Sequence, residues 1–167
     1  MIRNMSITKK EAKKHILLAF IFNCISVVGL IVLRNTEKIQ PTQKDIKVVT
    51  IGQTSIFVDV VDSDEDRVKG LSGRENLDVD SGMLFLFDYP SEYSFWMPDM
   101  NFPIDIIWIS DNTVVGIESN VSNEFDPNNP TYYNPPFEVD TVLEVNAGFA
   151  EKNNIKIGNL VSFLTTE

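Results

Sequence analysis

The sequence predicts a mainly β domain, a compact sandwich or partly closed barrel of about eight short strands with one or two short helices, behind an N-terminal transmembrane helix. Three observations carry this. Short runs of alternating or continuous apolar residues recur from Ile46 to Leu164, with Gly, Asn, Asp and Pro between them. The stretch from Gly82 to Ile109 packs two dense aromatic-aliphatic runs around a turn, and such apolar density must be buried. Ahead of both stands Ile16–Leu33, ILLAFIFNCISVVGLIVL, in which Asn23 and Ser26 are the clearly polar side chains.

The apolar run decides the organisation of the first third. As a helix its length would be about 27 Å, close to the hydrocarbon thickness of a bilayer. Arg3, Lys9, Lys10, Lys13 and Lys14 precede it, which places the N-terminus in the cytoplasm and everything after Arg34 outside. The expected domains are a basic cytoplasmic N-terminus (1–15), an anchor (16–33), a polar stalk (34–45) and a single β domain (46–164). The alternative is a secreted protein whose apolar run is a cleaved signal, although the run is longer than a signal core and lacks a convincing small-x-small site.

Each element then follows in order. Ile46–Ile51 and Thr54–Val61 read as strands around Gly52-Gln53, with Ile56, Val58 and Val60 on one face. Ser63-Asp64-Glu65-Asp66 has the capping-box form, so a short helix follows through Arg67 and Val68 and ends near Gly70. Asp62, Asp64 and Asp66 alternate like calcium-loop ligands, but Arg67 occupies the sixth position, where that loop requires glycine. Met83–Phe87 is apolar on both faces, as a central strand is. Glu92–Met97 and Asp105–Ser110 are the next strands, and Asp111-Asn112 turns tightly into Thr113–Ser119. A Pro/Asn-rich loop runs from Asn120 to Val139. Thr141–Val145 is a strand, Gly148–Asn153 one helical turn, and Leu160–Leu164 the closing strand.

Composition excludes several kinds of chemistry. From Asn35 onward there are 23 Asp and Glu against 8 Lys and Arg, a net of −15, and no Lys or Arg lies between Arg74 and Lys152. Such a surface repels nucleic acid and anionic head groups. The only Cys and the only His, Cys24 and His15, lie in or beside the apolar run. The β domain therefore has no disulfide, no cysteine nucleophile, no Ser-His-Asp triad and no thiolate or imidazole zinc site. No cofactor or metal is expected, and catalysis would fall to carboxylates, Tyr, Ser, Lys or a hard cation.

RVKGLSGR (Arg67–Arg74), GMLFLF (Gly82–Phe87), FWMPDMNFPIDIIWI (Phe95–Ile109), VLEVNAG (Val142–Gly148) and KIGNLV (Lys156–Val161) occur in that order. Together they resemble the small prokaryotic family known as domain of unknown function 192. The resemblance covers nearly all of Ile46–Leu164 and implies a compact, mainly β, often exported domain with no established activity. This chain has Pro98 where the family commonly has Lys, and Asn159 where the family usually has Asp.

The candidate binding residues are Asp99, Asp105, Arg67, Arg74, Trp96, Tyr132 and Tyr133. Asp105 shares a strand face with Ile107 and Ile109. A carboxylate there must find hydrogen bonds or a cation, so either it is structural, bonded to amides of the Met97–Phe102 turn or to Arg67 or Arg74, or it faces a ligand. Asp99 sits at the tip of the Pro98–Pro103 turn; paired with Asp105 it would supply the two carboxylates of glycoside chemistry. Trp96 and Trp108 are read first as core. Tyr132 and Tyr133, in a loop rich in Asn and Pro, either staple that loop to the sheet or present a sugar- or peptide-binding surface. Glu144, opposite the face of Thr141, Leu143 and Val145, is expected to be exposed, with an Arg partner as the alternative.

These residues fit a membrane-anchored extracytoplasmic module that binds a small molecule, a glycan or an envelope protein. The alternatives are a carboxylate-based hydrolase of envelope polysaccharide and a structural accessory domain of an envelope complex. No nucleic-acid partner is expected.

Overall fold

The computed structural model describes residues 46–165. The expected anchor and stalk lie outside these residues; among the described residues no helix is long and apolar enough to cross a membrane. Seven strands form one sheet: β1 (Ile46–Ile51), β2 (Thr54–Val61), β3 (Ser81–Ser91), β4 (Ile104–Ser110), β5 (Thr113–Val121), β6 (Val139–Asn146) and β7 (Val161–Thr165), in the order β5-β4-β6-β3-β2-β1-β7. Two short helices accompany them, α1 (Asp64–Lys69) and α2 (Phe149–Lys152).

The sheet curls until its two edges meet. Thr113 at the start of β5 bridges Leu160, just ahead of β7, and Val114 N–H donates to Asn159 O while Val161 N–H donates to Asn112 O. The fold is thus a half-barrel closed at one corner. At the other end of the β1–β7 pair, Ile46 stands opposite Thr165. All neighbouring strands are antiparallel except β2 and β3, and a parallel pair requires a crossover. Here α1 and the 70–80 segment supply it. Ser63 Oγ caps α1 by accepting from Asp66 N–H at 3.2 Å, and Gly70, at φ +50, ends it.

Curling gives the sheet an inner and an outer face, and both are buried over the central strands β3, β4 and β6. Inside, Ile56, Leu84, Ile107, Leu143, Val145 and Phe149 belong to one cluster. Outside, Met83, Phe85, Ile106, Trp108 and Val142 belong to a second, with Leu77, Phe87, Tyr93 and Phe95 packed against it. Met83–Leu86, Ile106–Ile109 and Val142–Leu143 are consequently apolar on both sides, the pattern expected of strands covered on two faces.

The structure corrects the expected strand count. Glu92–Met97 is not a strand of the sheet; its backbone makes a single antiparallel bridge, between Phe95 and Tyr133, with both amides donating at 2.8 Å. Its two-residue alternation is real, with Tyr93, Phe95 and Met97 packed inward and Glu92, Ser94 and Trp96 exposed. That alternation serves a cover laid over the outer face, because the segment leaves the sheet after β3 and finds only the 120–138 loop to pair with. Among the described residues there is no second sheet, so the barrel expectation describes the fold and the sandwich does not.

Candidate ligand cavity

A cavity of about 210 Å³ lies over the outer face of the sheet, beneath α1 and the 93–100 cover. Its wall is aromatic: Phe85 and Phe87 from β3, and Tyr93, Phe95 and Trp96 from the cover. These rings hold one another in place. Phe95 meets Phe85 edge-on at 5.0 Å and Trp108 at 5.4 Å, while Phe87 stacks on Tyr93 at 3.6 Å. Trp96 is braced from outside, stacked on Tyr132 at 5.9 Å and edge-on to Phe125 at 5.7 Å. The cavity is therefore preformed, which spares a ligand the cost of ordering side chains.

Glu144 forms part of the floor. On β6 it shares the outer face with Val142, opposite Met83 on one neighbouring strand and Ile106 on the other. The expectation of an exposed or Arg-paired glutamate is corrected: Glu144 is 6% exposed, and among the described residues its carboxyl has neither a hydrogen bond nor an ion pair. Exposure was expected because Glu144 alternates away from the inner core; the cover that buries it comes from a distant part of the chain. Burial pushes its pKa up from 4.5 to about 8 by penalising the charged form. At neutral pH the Glu144 carboxyl is thus mostly protonated.

Arg67 lines the rim. Its Nε and a terminal nitrogen donate to Leu86 O, its other terminal nitrogen pairs with Asp64 at 2.9 Å, and its guanidinium lies 5.0 Å from the centre of the Phe87 ring. Arg67 thereby clamps α1 onto β3, with three of its five N–H donors committed. Lys69 and Pro98 also line the cavity, so the chain's departure from the family's lysine falls on the cavity wall. Ser72 Oγ donates to Pro98 O at 2.8 Å and fixes that part of the cover.

The other candidates lie elsewhere. Asp105 is fully buried on the inner face, where Oδ1 accepts from the amides of Asn120 (2.8 Å) and Gly148 (3.0 Å) and Oδ2 from that of Ala150 (2.9 Å). It holds the start of α2 against the end of β5, and the partners are these amides rather than those of the Met97–Phe102 turn. Asp99 is exposed in a left-handed turn (φ +58) and does not line the cavity. The two do not form a catalytic pair at a common surface. Arg74 pairs with Asp59 of β2 at 2.8 Å, away from the aromatic wall. Tyr132 reaches the site only through Trp96, and Tyr133 packs half-buried against the outer cluster. Among the described residues no group of three or more His, Cys, Asp or Glu is placed to hold a metal ion.

Fold and site together define a curled, single-sheet β domain with a buried acid at the floor of an aromatic-walled cavity. The chain belongs to the family of domain of unknown function 192, described as an uncharacterized ACR, whose sequence model matches residues 47–163. Two solved structures share the fold. One is a protein of unknown function from Novosphingobium aromaticivorans DSM 12444, at 30% identity and a TM-score of 0.64, covering 70% of this chain and 84% of that one. The other is a proposed transcription regulator from Sinorhizobium meliloti 1021, at 25% identity and a TM-score of 0.63, covering 70% of this chain and 92% of that one. No curated protein matches the chain.

Proposed function

We propose that this protein is a membrane-anchored extracytoplasmic binding module and that the aromatic cavity over Glu144 is its ligand site. The observation that carries the reading is the Glu144 carboxyl, buried at the cavity floor without a partner among the described residues. Its oxygens open onto the cavity, where a ligand donor can form a hydrogen bond that the low local dielectric strengthens. Aromatic walls with a small number of placed polar groups, here Glu144 at the floor with Arg67, Lys69, Ser72 and Ser94 around it, are the usual makeup of a small-molecule site. The basic-flanked apolar run at 16–33 supports the anchor and the export of the domain.

The hydrolase reading lacks a second carboxylate, because Glu144 is the single acid lining the cavity. Regulation through DNA, suggested by the description of the Sinorhizobium protein, conflicts with the acidic excess of this domain.

The test is a melting-temperature screen of the purified full-length chain in detergent, followed by intrinsic fluorescence, against small molecules that combine an apolar body with one polar group. A ligand that binds only the folded state raises the melting temperature. Binding should be lost in Trp96→Ala, which removes a wall. If no compound raises the melting temperature, or if the hits bind Trp96→Ala equally well, the cavity is not the site.

A further inference from the structure

The proposed site has a chemistry that narrows its ligand. Five aromatic residues and one acid line the cavity, and the electron-rich aromatic rings that remain open to it favour a cation, most strongly where water is excluded. Glu144 has accepting lone pairs and, among the described residues, no cation within ion-pairing distance. The charged groups facing it are few. From α1 come Arg67, held by Leu86 O and Asp64, and Lys69, which is exposed; from the cover comes Tyr93, whose hydroxyl donates to Tyr89 O at 2.6 Å. The facing residues of β3 and β4, Met83 and Ile106, are apolar. The cavity volume lies below the roughly 300–1,000 Å³ typical of drug-sized ligands, so its occupant is small.

Resting on the binding reading above, we infer that the cavity takes a small alkylammonium ion, its cationic head against the Glu144 carboxylate and its alkyl part against Phe85, Phe87, Phe95 and Trp96. The occupant also restores the ionised form of Glu144. Because burial favours the protonated acid, uptake of the cation releases a proton from the Glu144 carboxyl to solvent. Affinity therefore rises about tenfold per pH unit below the folded pKa of about 8 and levels off above it.

The probes are choline and butylamine, each against its neutral counterpart, 3,3-dimethyl-1-butanol and 1-butanol, titrated by calorimetry into the full-length chain at pH 6, 7 and 8. At least one cation should bind more than tenfold tighter than its neutral counterpart. Its affinity should climb with pH, and its heat at pH 6 should change with the ionisation enthalpy of the buffer. Glu144→Gln, which removes a buried acid and preserves the shape, should weaken binding at least tenfold and abolish the pH dependence. Neutral counterparts that bind as well as the cations would overturn the charge assignment while leaving the cavity standing as a site. So would a cation whose affinity is unchanged in a folded Glu144→Gln variant. Silence from all four probes overturns the alkylammonium assignment, and silence from the wider screen as well overturns the cavity itself.

Discussion

Asp105 and Glu144 lie on paired strands of one sheet and face opposite ways, and their hydrogen bonding differs as sharply. Asp105, opposite Val145 on β6, accepts three backbone amides inside the barrel. Glu144, one position along, stands beneath an aromatic cavity with no partner among the described residues. Both are buried acids; one is built into the fold and the other is held against a space.

Asp105→Asn should therefore be costly for stability. One of its oxygens becomes an NH₂ group facing an amide donor, so at least one buried N–H loses its acceptor. The expected loss is about 2–4 kcal/mol, from hydrogen bonds to a charged group and the desolvated donor left behind. A lower urea midpoint with an unchanged m-value would establish it. An unaltered midpoint would remove the structural role.

Glu144 should make stability fall as pH rises. Its folded pKa of about 8 exceeds the ordinary 4.5, so between those values the folded chain holds a proton that the unfolded chain has lost. Raising the pH through that window then favours unfolding, with a slope approaching one proton per molecule. Below about 4.5 both states are protonated and the effect vanishes. Urea titrations of the wild type and Glu144→Gln across pH 4–9 isolate it: the wild type should lose stability relative to the variant as pH rises, and parallel curves would show that Glu144 titrates normally.

Gly82→Ala tests the backbone beneath the site. A Cβ at Gly82 would stand 2.7 Å from Glu144 O and 3.0 Å from Leu143 Cδ1, so β3 and β6 must part slightly. Overpacking of this kind costs about 1–3 kcal/mol. Ligand affinity should drop with it, because the strand that moves carries Glu144. Full stability together with full binding would show that the ladder yields freely.

The two tryptophans should separate stability from binding. Trp108 is 1% exposed and Trp96 44%. Trp108→Ala should cost about 3–5 kcal/mol. Trp96→Ala should cost roughly 1 kcal/mol or less while removing a cavity wall, and equal melting-temperature losses would contradict this division.

Much of the fold was legible in local pattern. Ile46–Ile51 and Thr54–Val61 are strands with the expected bounds, Ser63 caps its helix, and Asp111 and Asn112 both take the positive φ of a tight hairpin turn. These depend on neighbours in sequence. The site was less legible because its parts meet only through long-range packing. Trp96 and Arg67 stood among the candidates, but Glu144 read as exposed, since alternation reports which face a residue takes and not what later covers that face. The Glu92–Met97 segment shows the same limit: its period of two is shared by a strand and by a flat cover laid across one. Asp105 was recognisable as a buried acid needing partners, yet Asn120, Gly148 and Ala150 come near it only when β5 and α2 are in place.

The pairing of Ile46 with Thr165 has a mechanical consequence. Force applied between those two residues pulls across the β1–β7 ladder, and antiparallel hydrogen bonds lying along that direction open one after another rather than all at once. A load between the ends would peel β7 away at low force, while a pull through one end alone leaves that seam unstressed. Single-molecule stretching from both ends should show an early, small extension before the main rupture. A domain held through one end only would leave this seam unloaded.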